Sequence, residues 1–182
     1  TVYGHHTKRI AESMFSRAYE YANLSIEKLC EMDDCDLLNF LENEAKRTNN
    51  SYIKEILTRI KNRDLFKRFY SAKYQEIGEI FCRDIEEDKR KFEYKICDAL
   101  NIPYDYLLVD LPEIRLKEYD AMIKSDEHIY KIDEISELAK ALKQTEISRL
   151  SFCIYADGKY IDKQKDFIPE KFIPFKQRRL EI

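Results

Sequence analysis

Two hydrophobic periods divide this chain, and the place where one gives way to the other, near Tyr70, most limits how it can fold. Before that point apolar residues recur at helical spacing. Ile10, Met14, Ala18, Tyr21 and Ala22 mark a helix from about Thr7 to Asn23. A short segment, Ser25 to Cys30, runs into Glu31-Met32-Asp33-Asp34, whose aspartates are placed to cap a helix with Leu37, Leu38 and Leu41 on its inner face. Arg47-Thr48-Asn49-Asn50-Ser51 reads as loop and cap. Ile53, Ile56, Leu57 and Ile60 then form the stripe of a further helix, which breaks near Asn62 before a short helix from Asp64 to Phe69.

Beyond Tyr70 the runs Phe69 to Tyr74, Tyr104 to Asp110, His128 to Ile132 and Leu150 to Ala156 read as strands. Helices are predicted over Asp84 to Leu100, ended by Asn101-Ile102-Pro103, and over Ile135 to Leu142. The pattern predicts an α+β fold: an N-terminal helical bundle part over residues 1–69, a small mixed α+β lobe over 70–175 packed with it, and a tail over 176–182. The chain opens at Thr1 in mid-pattern, without a start methionine, and reads as a piece of a longer polypeptide.

With 182 residues, 44% of them apolar, there is enough material for a substantial core. Charged residues reach 37%, yet the signs nearly cancel at −3, which argues against general nucleic-acid binding and leaves room for one compact cationic pocket. No apolar run approaches the length of a membrane span, and no signal-peptide pattern opens the chain. The five cysteines are irregularly spaced and form no Cys-x-x-Cys pair. Free buried thiols in a reducing cytoplasm are therefore expected, not structural zinc or a disulfide framework.

Only three glycines are present, so a Walker loop or dinucleotide fingerprint is impossible and any phosphate grip must come from side chains or a helix start. His5 and His6 open the first helix; adjacent helical residues point about 100° apart, so the pair cannot chelate one metal. One ring is free to face a ligand, or both serve packing at an interface. Arg63 and Lys67, four apart, are expected to project from one helix face. A forked guanidinium and a point charge at that spacing suit a triphosphate, and equally make an ordinary solvated surface. Lys131 is a lone cation on an apolar strand. The carboxylates fall in runs suited to capping and solvation, no catalytic residue is evident, and no His-Asp dipeptide occurs.

Taken together, Tyr3-Gly4-His5-His6 entering a helix, the Met32-Asp33-Asp34 turn into a leucine helix, and Ile60-Lys61-Asn62-Arg63-Asp64-Leu65-Phe66-Lys67 form an ordered pattern. It resembles the region downstream of the metal site in HD-domain deoxynucleoside triphosphate triphosphohydrolases, closest to the group with a SAM domain. The resemblance implies that Tyr3 lines the substrate sugar pocket. It also implies that His5, and His6 in place of a lysine, lie near an activating deoxynucleotide between subunits. Arg63 and Lys67 match an Arg-x-x-x-Lys pair that holds the phosphates of a guanine nucleotide activator, and Lys131 matches a lysine reaching a nucleotide phosphate across the interface. Gly4 replaces a glutamine that faces the substrate base. The family's His…His-Asp…Asp cluster, with its divalent metal, is implied to lie N-terminal to Thr1, so this chain binds no metal itself. A cytoplasmic homo-oligomer acting on (deoxy)nucleoside triphosphates is what the resemblance implies; the alternative is an interaction module without a ligand.

Overall fold

A computed structural model describes residues 6–77, 79–111, 121–125 and 128–173. The order of elements is mixed α+β, as the change of period implies. Helix α1, His6–Ala22, buries Ile10, Met14 and Ala18 on one stripe. After the single-turn α2, Ile26–Cys30, comes α3, Asp34–Arg47. Asp33 caps α3 by accepting from the Asp36 N–H at 2.8 Å, and Asp36 answers the Asp33 N–H, a reciprocal capping box. Helix α4, Ser51–Lys61, starts at Asn50, whose Oδ1 accepts from the Tyr52 and Ile53 N–H groups.

Strand β1 spans Lys67–Lys73. Three helices follow: α5, Tyr74–Ile77; α6, Glu79–Glu87; and α7, Lys89–Leu100. The single helix predicted over Asp84 to Leu100 is thus two. Asp88 leaves helical geometry (φ −145, ψ 60) and caps α7 through the Lys91 N–H. Strand β2, Leu107–Asp110, is shorter than expected, because Asp105 adopts a left-handed φ of 70 that breaks the extended run. Strands β3, Met122–Ser125, and β4, His128–Lys131, form a separate hairpin sheet. It leads into α8, Ile132–Ile135, and α9, Glu137–Arg149, which runs past the predicted end at Leu142. Strand β5 spans Ser151–Ala156, followed by 3-10 segments at Gly158–Asp166 and Pro169–Lys171.

The main sheet is antiparallel in the order β1-β5-β2, with the last strand in the centre. Alternation along β5 explains how two cores share it. Cys153 and Tyr155, with Leu108 of β2, face Ile10, Met14, Leu41, Ile53 and Ile56 of α1, α3 and α4. Phe152, Ile154 and Ala156, with Leu107 and Val109, face Ile77, Cys82, Ile85, Ile96 and Leu100 of α5 to α7. The sheet is therefore a middle layer, which is why β5 is buried on both faces. A shift of register between Arg68 and Tyr70 inserts Phe69, and both Phe69 and Tyr70 then pack on the second core.

Two ionic clusters, one buried and one half-buried, hold the layers. Arg17 of α1 pairs with Glu93 of α7 at 2.5 Å and with Asp105 at 2.8 Å. The other Glu93 oxygen accepts from the Val109 N–H at 2.8 Å, so the outer edge of β2 is satisfied by a side chain. Asp105 also accepts from Arg90 and from the Tyr21 hydroxyl, and its carbonyl accepts from Tyr52. Arg9 of α1 pairs with Asp110 at 2.7 Å and donates to the Ser151 carbonyl, while the Tyr155 hydroxyl donates to the same carboxylate. All five cysteines are free thiols, but only Cys82, Cys97 and Cys153 are buried; Cys30, at the end of α2, and Cys35, in the first turn of α3, are exposed. No helix among the described residues is long and apolar enough to cross a membrane.

Candidate functional site

The corner where α4 ends, β1 begins and β5 stops carries Arg63 and Lys67, two of the three Arg and Lys candidates that the sequence singles out. Helix α4 ends at Asn62, and Arg63 takes the left-handed conformation (φ 57) that lets the Asp64 N–H reach the Arg59 carbonyl at 2.8 Å. The chain then turns to bury Phe66, and Lys67 opens β1 opposite Ala156. The helix expected from Asp64 to Phe69 is absent, and Arg63 and Lys67 do not share a helix face. Pairing with β5 and burial of Phe66 and Phe69 outweigh local helical preference. The two cations instead flank the Asp64-Leu65-Phe66 turn, both exposed, and neither side chain has an ion-pair partner among the described residues.

A rigid ionic knot underlies this corner. Arg59 Nη1 lies 2.7 Å from Asp157 Oδ2, its Nε donates to the Asp64 carbonyl at 3.1 Å, and its guanidinium sits 5.0 Å over the Phe66 ring. Asp157, at the end of β5, is only 4% exposed, which makes its pairing obligatory. It also accepts from the Lys159 N–H at 3.1 Å, and Lys159 Nζ lies 3.2 Å from its carboxylate and 4.4 Å over Tyr106. Burial raises the Asp157 pKa, but hydrogen bonds from Arg59 and Lys159 outweigh it and leave the carboxyl below its ordinary value. The Tyr106 hydroxyl is pushed up to about 12 by burial and by its bond to Glu55, so it stays a donor.

The remaining candidates are placed apart from this corner or lie outside the described residues. Tyr3 and His5 are among the latter. His6 is the exposed first residue of α1. Lys131 ends β4 on the separate hairpin and precedes α8, its N–H donating to Glu134 at 3.0 Å. Among the described residues no three His, Cys, Asp or Glu side chains are grouped to hold a metal ion. The described residues therefore offer no divalent metal site, and no step through a metal is assigned to them.

Sequence reasoning missed Arg59 and Asp157, and the signals were faint. Arg59 falls one position from Ile60 on an apolar helix, and Asp157 follows the most apolar strand. Only the tertiary contact identifies them as partners. A second feature it missed is a groove of about 790 Å³ between α3 and α4, lined by Lys46, Lys54 and Lys61.

The described residues form a three-layer α/β/α body, with a central antiparallel sheet between two helical layers and the Arg63–Lys67 corner at its margin. Residues 1–177 match the family described as the HD associated region, and the chain belongs to that family. An uncharacterized protein of Methanocaldococcus jannaschii is 30% identical over 173 residues, which cover 91% of this chain and 36% of that relative. The chain thus spans little more than a third of the relative's length. No solved structure matches the chain significantly.

Proposed function

We propose that this chain is the regulatory and oligomerisation portion of an HD-domain phosphohydrolase that hydrolyses (deoxy)nucleoside triphosphates. The observation that carries the reading is membership of the HD associated region family across nearly the whole chain. In this reading the divalent metal and the water it activates belong to an HD core outside these 182 residues. Tyr3 contributes a wall of the substrate pocket. His5, His6, Arg63, Lys67 and Lys131 contact nucleotide phosphates, with a guanine nucleotide as activator. Two features of the corner support a phosphate role for Arg63. Its guanidinium is exposed and unpaired among the described residues, and its backbone is held in a conformation that ordinary side chains rarely adopt.

A second reading, an interaction module without a ligand, draws on the hairpin and the helices after it. Met122, Ile129 and Leu138 are 63%, 64% and 70% exposed, and Ile135 and Leu142 are half exposed beside them. Such a patch suits contact with another protein surface, including a second copy of this chain.

The readings part on one experiment with the full natural polypeptide: melting temperature and native mass with and without a guanine nucleoside triphosphate. The regulatory reading expects a higher melting temperature and a larger assembly with nucleotide. It expects Arg63→Ala and Lys67→Ala to weaken both responses at least tenfold while leaving the ligand-free melting temperature unchanged. Normal nucleotide-dependent assembly in both variants would overturn the assignment of these residues. No nucleotide response in the parent protein would leave the interaction module standing.

A further inference from the structure

The groove between α3 and α4 is a concavity of about 790 Å³ whose lining has a consistent chemistry. Helices α3 and α4 are joined by the three residues Thr48, Asn49 and Asn50, so they form a helical hairpin. Lys46 comes from the last turn of the first helix. Lys54 and Lys61 come from one face of the second, seven residues apart. Ala45 and Leu57 form a buried floor. At about 790 Å³ the groove falls within the range of roughly 300–1,000 Å³ typical of small-molecule sites.

Charge makes the site specific. All three lysines are exposed, and none of their ammonium groups has a hydrogen-bond or ion-pair partner among the described residues. Glu42 is the one acidic side chain on the lining. Nearby, by contrast, Arg47 is paired with Glu44 at 2.5 Å and Arg59 with Asp157. Three ammonium groups around one concavity raise a positive potential that a polyanion relieves. Neutral groups add hydrogen bonds: Asn50 uses its oxygen to cap α4, which leaves its NH2 to donate, and Asn49 and Asn62 stand at the margins.

We propose that the α3–α4 groove binds a small polyphosphate of the nucleoside di- or triphosphate class through Lys46, Lys54 and Lys61. The site is separate from the Arg63–Lys67 corner, although Asn62 on its margin directly precedes Arg63. It does not depend on the regulatory reading above, because it rests on the groove and its unpaired cations alone.

The test is lysine acetylation of the full natural polypeptide, read residue by residue by mass spectrometry, with inorganic tripolyphosphate or ATP as probe. Acetylation of Lys46, Lys54 and Lys61 is expected to slow at least fivefold, while the exposed Lys28 and Lys73 on other elements are unaffected. Lys54→Gln should remove most of the protection at Lys46 and Lys61, and Arg63→Ala/Lys67→Ala should leave it intact. Protection by ATP at lower concentration than tripolyphosphate identifies a nucleotide; the reverse identifies an inorganic polyphosphate, and both support the site. Equal protection of all lysines, protection of Lys67 alone, or protection by an oligonucleotide but by neither probe overturns it. Protection of Lys67 alone would favour the corner, so failure of the groove and failure of the regulatory reading remain distinguishable.

Discussion

Arg17 and Glu93 are 2% and 1% exposed, and each has lost nearly all its hydration in exchange for the other. Removing one partner strands a buried charge, which costs about 3–5 kcal/mol, whereas replacing both by apolar groups of similar volume is often close to neutral. Glu93→Ala should therefore lower stability by about that amount in urea unfolding, and Arg17→Met/Glu93→Leu by less, its remaining cost set by the Val109 N–H that loses its acceptor. Asp105 in the same cluster sets the response to acid. Burial pushes its pKa up, but hydrogen bonds from Tyr21 and Arg17 and the charges of Arg90 and Arg17 bring it below the ordinary 3.8. A depressed folded-state pKa contributes stability that is fully present above the unfolded value and is lost as pH falls through the folded one. Stability should hold from neutrality down to about 3.8 and decline below it, and Asp105→Asn should flatten that decline.

At the scale of elements, the end of α4 concentrates the disagreement between local and tertiary preference. The caps of α3 and α4 were legible because an Asp or Asn before an apolar stripe has a direct partner in the first-turn N–H groups. The stretch after Asn62 was not. Leu65, Phe66 and Phe69 fit a helical spacing as well as a strand, and pairing with β5, far away in sequence, decided between them. Arg63 is left in the left-handed region, which costs a non-glycine residue roughly 1–2 kcal/mol. Arg63→Gly should thus keep or raise the melting temperature and, under the proposed regulatory function, abolish the response to guanine nucleotide. A variant that melts lower would show that the side chain, exposed as it is, supports the turn.

For the molecule as a whole, placing one sheet between two helical layers produces two cores and a sharp division of the thiols. Cys153 lies on one face of the sheet, and Cys82 and Cys97 lie in the layer on the other. Burial, with Glu93 and Asp105 nearby, pushes the Cys97 thiol up to about 12, so it is both inaccessible and protonated. A disulfide reagent at pH 8 should label two cysteines of the native protein rapidly, Cys30 and Cys35, and all five only after unfolding. Rapid labelling of a third would mean that the layers open readily.

By itself the sequence determined the class of fold, the helices up to Lys61 with the caps of α3 and α4, the central apolar strand, and the resemblance that pointed toward HD-domain proteins. These follow from period and from side chains acting on backbone groups a few residues away. Only the tertiary structure decided that α4 runs into a strand, that Arg17 pairs with Glu93 and Arg59 with Asp157, and that three lysines on two helices face one groove. Each of these depends on which helix faces meet and which strands pair. That choice is made by burying whole faces against one another, and no local spacing encodes it.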